Sequence, residues 1–92
     1  MADVQDSEES LIDFPCEFPV KIMGRTGDDF EGLVFEIVKR HAPEIGLDNL
    51  SVRASRDGNF IAVTAIIVAR SRRQLDDLYE ELSTHERVLM AL

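Results

Sequence analysis

The run from Gly58 to Arg70, GNFIAVTAIIVAR, constrains this chain more than any other stretch of it. Alternate residues of a strand point to opposite faces of a sheet, so a strand with one wet face reads apolar on one parity only. Here Phe60, Ala62, Ile66 and Val68 share one parity, and Ile61, Val63, Ala65, Ile67 and Ala69 the other, with Thr64 the single polar interruption. If one side packs on helices, the other must meet a second layer, a ligand, a partner chain or water.

The segments around this run supply the helices and the remaining strands. FPVKIMG, Phe18 to Gly24, carries Phe18, Val20 and Ile22 on one parity and Lys21 and Met23 on the other, which predicts a first strand followed by a turn between Gly24 and Gly27. DDFEGLVFEIVKRHAP then aligns Phe30, Leu33, Val34, Ile37, Val38 and His41 along one helical stripe. Asp28 is the expected N-cap, with Glu31 at the reciprocal N3 position, and Pro43 is the stop. Gly32 reads as a small residue allowing close approach to the sheet, and Glu36 with Arg40 as an ordinary i,i+4 pair. LSVRASR alternates Leu50, Val52 and Ala54 with Ser51, Arg53 and Ser55, a second strand that DGN reverses into the third. Ser71, with Gln74 at N3, opens a second helix whose Leu75, Leu78, Tyr79 and Leu82 share a face. ERVLMAL ends as a short fourth strand, with Val88, Met90 and Leu92 on one parity.

Strand, helix, strand, strand, helix, strand is buried most economically as an α+β fold, the ferredoxin-like split βαβ sandwich (βαββαβ). Its four-stranded antiparallel sheet runs in order 4-1-3-2, with two helices on one face. A swapped or extended sheet would use the same local elements. The domain is expected over residues 16–92, after an acidic flexible arm over residues 1–15. Residues 1–17 hold Asp3, Asp6, Glu8, Glu9, Asp13 and Glu17 with no Lys or Arg, and Leu11, Ile12 and Phe14 could anchor them locally.

Charge and composition narrow the function classes. A formal net charge of −8 repels polyphosphate at long range and makes nucleic acid an unexpected partner. A sheet that stacks RNA bases would also need clustered aromatics, whereas Phe60 is alone on its strand. The chain has no apolar run near the roughly 20 residues of a membrane span and no signal pattern, so a cytoplasmic location is expected. One cysteine, Cys16, offers neither a disulfide nor a paired metal or redox motif, and no cofactor is expected.

The remaining chemistry-bearing residues have ordinary structural readings. His41 falls near a helix C-terminus and His85 at the turn into strand four, with no spacing that makes a metal motif and no nucleophile beside them, so no catalytic residue is assigned. Arg70, Arg72 and Arg73 concentrate positive charge at a strand-to-helix junction, where forked guanidinium groups and free helix N–H groups could hold a small anion. Arg53 could join them. The competing reading is a solvated basic surface.

Placing Ile61, Val63, Ala65, Ile67 and Ala69 on the helix side, with Val20, Ile22, Leu50, Val52, Val88 and Met90, leaves Met23, Phe60, Ala62, Thr64, Ile66, Val68 and Leu89 outside, with Lys21, Ser51, Arg53 and Ser55 as a polar surround. That face offers apolar area without a convergent acid, base or nucleophile, so Met23, Phe60, Ile66, Val68 and Leu89 are the candidate interaction residues. Burying about 300 Å² of it in a partner contributes roughly 7 kcal/mol before association costs. The expected role is a noncatalytic regulatory or protein-interaction domain, through a homodimer or another protein. The alternative is a small-ligand-binding domain for an amino acid or small anion.

The ordered set FPVKIMG, VKRHAP, SVRASRDGNFIAVTAIIVA and LYEELSTHERVLMAL resembles the YbeD-like family of small uncharacterised bacterial proteins. Phe14 and Pro15 match its opening motif, Arg40 to Pro43 its helix end, Gly58 and Asn59 its hairpin, and Tyr79 to Leu82 its second helix. The resemblance covers about residues 14–92. It implies a ferredoxin-like fold similar in shape to regulatory domains of the ACT type, and supplies no catalytic residue.

Overall fold

A computed structural model describes residues 13–92. The expected reading of Leu11 and Ile12, and most of the arm, therefore lies outside the described residues. The elements are β1 (Cys16–Arg25), α1 (Phe30–His41), a 3-10 turn (Leu47–Asn49), β2 (Leu50–Ala54), β3 (Phe60–Ala69), α2 (Arg72–Thr84) and β4 (Val88–Ala91). The strands form one sheet in order β2-β3-β1-β4, each pair antiparallel. This is the expected 4-1-3-2 order read from the other edge.

The central pair carries the architecture. β1 and β3 run side by side from Cys16 opposite Ala69 to Arg25 opposite Phe60. Val20 stands opposite Ala65 and Ile22 opposite Val63, and all four are buried in one core with Phe30, Val34, Ile37 and Val38 of α1 and Leu75, Leu78 and Leu82 of α2. The opposite parity is half-buried or exposed, Ile66 and Val68 being exposed, so both helices lie on one face of the sheet. The ferredoxin-like sandwich follows. At the edge, Val52 does face the helix side, opposite Val63, yet stays 44% exposed because β2 lies beyond the helices' cover.

The start of α1 differs from the expectation by one residue. The N-cap is Asp29, in the left-handed region at φ 35°, and its Oδ1 accepts a hydrogen bond from the Gly32 N–H at 3.1 Å. Asp28 instead belongs to the preceding turn, where its carbonyl accepts from Arg87 Nη1 at 2.6 Å. Glu31 thus moves to N2, and Gly32 takes N3. A Cβ there would lie 2.2 Å from Asp29 Oδ2, so the glycine makes room for the cap. Close approach to the sheet occurs at Gly24, where a Cβ would stand 2.5 Å from the Phe30 ring and 2.6 Å from the Arg87 carbonyl.

β4 is the second correction. Met23 pairs with Met90 but Gly24 pairs with Val88, a register shift that leaves Leu89 as a bulge residue. Val88 and Ala91 therefore turn inward. Met90 and Leu92, expected beside Val88 in the core, are 49% and 60% exposed, and the Leu92 backbone exchanges hydrogen bonds with Lys21 on the outer side.

Candidate protein-interaction face

The outer face of the sheet is built as rows of side chains that the strand register brings abreast. Glu17 stands beside Val68, and Pro19 beside Ile66. The next row is Ser51, Thr64, Lys21 and Leu92, followed by Arg53, Ala62, Met23 and Met90. Phe60 and Arg25 close the face, the guanidinium carbon lying 5.7 Å from the ring centroid. Of the expected interaction residues, Phe60, Ile66 and Leu89 are 41%, 41% and 53% exposed; Val68 is also exposed and Met23 half-buried. Met90 and Leu92 join them. The bulge at Leu89 brings them here, a backbone irregularity that strict alternation does not reveal.

The face is shallow. A mostly apolar depression of about 150 Å³ is lined by Met23, Arg53, Ala54, Phe60, Ile61 and Ala62, and one of about 310 Å³, mixed in character, by Lys21, Ser51, Arg53, Ala62 and Thr64. Among the described residues the face carries one carboxylate, Glu17, and no histidine or cysteine. Such a surface can exchange apolar area and charge with a partner.

The four candidate arginines do not converge. Arg53 projects from β2 opposite Ala62, whereas Arg70 follows the far end of β3, about 25 Å away at strand rise. Arg70 pairs with Glu44 at 2.8 Å, Arg72 with Asp76 at 3.6 Å and Arg73 with Asp77 at 4.0 Å. The start of α2 is likewise engaged: the Ser71 hydroxyl accepts from Gln74 N–H at 3.1 Å, and Gln74 Oε1 accepts from Arg70 N–H. Gln74 also donates from Nε2 to the His41 carbonyl at 2.8 Å, tying the two helices together.

His41 and Arg40 extend that tie. His41 Nε2 lies 2.7 Å from Glu81 Oε1, and Arg40 holds the other carboxylate oxygen. Arg40 is thus drawn across to α2, and Glu36 adds only a through-space attraction. The Arg40 hydrogen bond, with His41 second, holds the Glu81 carboxyl below the usual carboxylate range. His85 ends α2, its N–H reaching the Leu82 carbonyl and its Nδ1 accepting from Arg87 N–H at 3.1 Å. Cys16 is half-buried at the start of β1 and packs on the core. Among the described residues no three His, Cys, Asp or Glu side chains gather in a metal-binding group, and no helix is long and apolar enough to cross a membrane.

Fold and face together define a small ferredoxin-like α+β domain with an open sheet. A family model described as a protein of unknown function (DUF493) matches residues 9–92, and the chain belongs to that family. A UPF0250 protein of Nitrosomonas europaea is 48% identical over 86 residues, covering 94% of this chain and 99% of the relative. A UPF0250 protein of Chromobacterium violaceum is 40% identical over 97% of this chain and 100% of its own. The solution structure of protein HP0495 from H. pylori shares the fold at a TM-score of 0.69 and 14% identity, covering 96% of this chain and 92% of that one.

Proposed function

We propose that this chain is a noncatalytic regulatory or protein-interaction domain that associates through the outer face of its sheet. The observation that supports the reading is the apolar surface at both ends of that face, on either side of a polar row of Ser51, Thr64 and Lys21. Met23, Ala62, Met90 and Phe60 adjoin at one end, Ile66 and Val68 at the other, and no described element covers them. A sheet face left for water alone would carry alternating polar residues.

The small-anion reading has less support. Arg70, Arg72 and Arg73 each have a carboxylate of this chain within reach, so an anion would compete with Glu44, Asp76 and Asp77. A cleft of about 390 Å³ lined by Arg25, Gly27, Asp28, Glu86, Arg87 and Leu89 mixes both charges, and its Arg87 is already bonded to the Asp28 carbonyl.

Intact-mass measurement of the gently purified native protein, beside Ile66→Lys and Val68→Lys variants, tests the docking reading. Wild type is expected to retain a partner or second copy that both variants lose, with their melting temperatures unchanged. A wild-type protein that holds its monomer mass at every concentration and retains nothing sinks it.

A further inference from the structure

We propose that the outer sheet face docks an acidic, amphipathic segment of another protein, apolar on one side and flanked by carboxylates. This rests on the docking reading above and names what docks. Three cations stand among the apolar rows: Lys21 beside Thr64 and Leu92, Arg53 beside Ala62, and Arg25 beside Phe60. The carboxylate on the face, Glu17, lies at its far end opposite Val68.

Elsewhere four arginines are neutralised within the chain. Arg40 meets Glu81, Arg70 meets Glu44, Arg72 meets Asp76 and Arg73 meets Asp77. Among the described residues neither Lys21 nor Arg53 has a carboxylate within ion-pair distance, and Arg25 lies over an aromatic ring instead. Six of the ten basic residues have no acid within ion-pair distance among the described residues: Lys39 and Arg87 lie over the rings of Phe35 and Phe30, Arg56 stands in the β2–β3 turn, and the other three, Lys21, Arg25 and Arg53, gather around one apolar surface. Carboxylates brought in by a partner would complete them.

The same charges disfavour a second copy. Two faces laid together bring six cations against two carboxylates, and like charges at an interface oppose association. The apolar rows in turn disfavour nucleic acid. Met23, Ala62, Met90, Ile66 and Val68 give a base no ring to stack on, and Phe60 already carries the Arg25 guanidinium at 5.7 Å. From Glu17 to Arg25 the face runs about 26 Å at strand rise, the length of a helix of about 18 residues.

The test is fluorescence anisotropy of the full chain with two labelled amphipathic peptides of that length. Both carry the same leucine stripe, one flanked throughout by glutamate and the other by lysine; a single-stranded RNA of equal length is the third probe. The glutamate peptide is expected to bind at least about tenfold more tightly than the lysine peptide, and more weakly as salt rises. Lys21→Gln with Arg53→Gln should remove the preference and Lys21→Glu with Arg53→Glu invert it, with unchanged circular dichroism.

Equal affinity for both peptides, lost in Ile66→Lys, leaves the docking face standing and overturns the acidic partner. Binding of neither peptide overturns the acidic partner, and together with a bare monomer mass it overturns the face as well. Tighter binding of the RNA assigns the cations to phosphate and overturns the proposal. So does a concentration-dependent dimer that Ile66→Lys dissociates. A carbodiimide cross-link within one monomer, from Lys21 to Asp3, Asp6, Glu8 or Glu9, would assign the face to the chain's own first residues and overturn it too.

Discussion

Met23 stands opposite Met90 in the β1–β4 ladder, while the next residue of β1, Gly24, stands opposite Val88, so the fourth strand changes face within two residues. Val88 faces the core at 9% exposure and Met90 faces outward at 49%. Val88→Lys is expected to lower unfolding stability by about 3 kcal/mol or more, because it buries an unpaired charge. Met90→Lys should stay within about 0.5 kcal/mol of wild type, as exposed substitutions do. Urea midpoints measure both, and equal losses would mean that β4 runs without its bulge.

Asp29 and Gly32 form a coupled pair. Replacing Asp29 by Ala removes the cap and should cost about 1 kcal/mol. Gly32→Ala in the wild-type background displaces the capping carboxylate, which a new Cβ would meet at 2.2 Å, so its gain in helix propensity is cancelled or reversed. In the Asp29→Ala background the same change should stabilise by up to about 1 kcal/mol. A double-mutant cycle in urea reads the coupling, and additive effects would reject it.

Gly24 is expected to tolerate no side chain. A Cβ would stand 2.5 Å from the Phe30 ring and 2.6 Å from the backbone carbonyl of Arg87, and the latter cannot rotate away. Gly24→Ala should therefore cost about 1–3 kcal/mol by overpacking, against a gain for Gly58→Ala of at most zero, since Gly58 has open space but a φ of 79°. Thermal denaturation of the two variants compares them. A neutral Gly24→Ala would show that Phe30 can be accommodated elsewhere.

Glu81 links stability to pH. Its carboxyl is lower in the folded state, first through Arg40 and then through His41, so its contribution is fully present above the unfolded carboxyl value of about 4.3. That contribution is lost as pH falls through the lower folded value. Wild type minus Glu81→Gln stability is therefore expected to decline as pH drops below about 4.3 and to vanish in stronger acid. Denaturation midpoints from pH 6 downward measure it, and a difference that persists or grows in acid would reject the Arg40–Glu81–His41 tie.

Much of this was readable in the residues themselves. The stripe from Phe30 to Val38, the alternation from Phe18 to Gly24 and the Ser71–Gln74 cap each depend on neighbours within a turn or a strand, and all three appear in the structure. The outer position of Phe60, Ile66 and Val68 was equally legible, because parity along an unbroken strand leaves one choice once the helices claim the other side. The cap position was not. Asp28 and Asp29 are chemically identical, and Arg87, 58 residues beyond Asp29, takes up the carbonyl of the first.

The sequence alone determined the order of the elements, the helix-facing residues of β1 and β3 and the two-sidedness of β3, since these follow from local periodicity and from apolar side chains leaving water. The tertiary structure decided which residues of β4 face outward, because a bulge inserts one residue into a ladder and reverses every side chain after it. It also decided which cations find an acid. Arg40 reaches a helix 41 residues away, while Lys21 and Arg53, separated by the width of two strands, share one face with no carboxylate partner among the described residues.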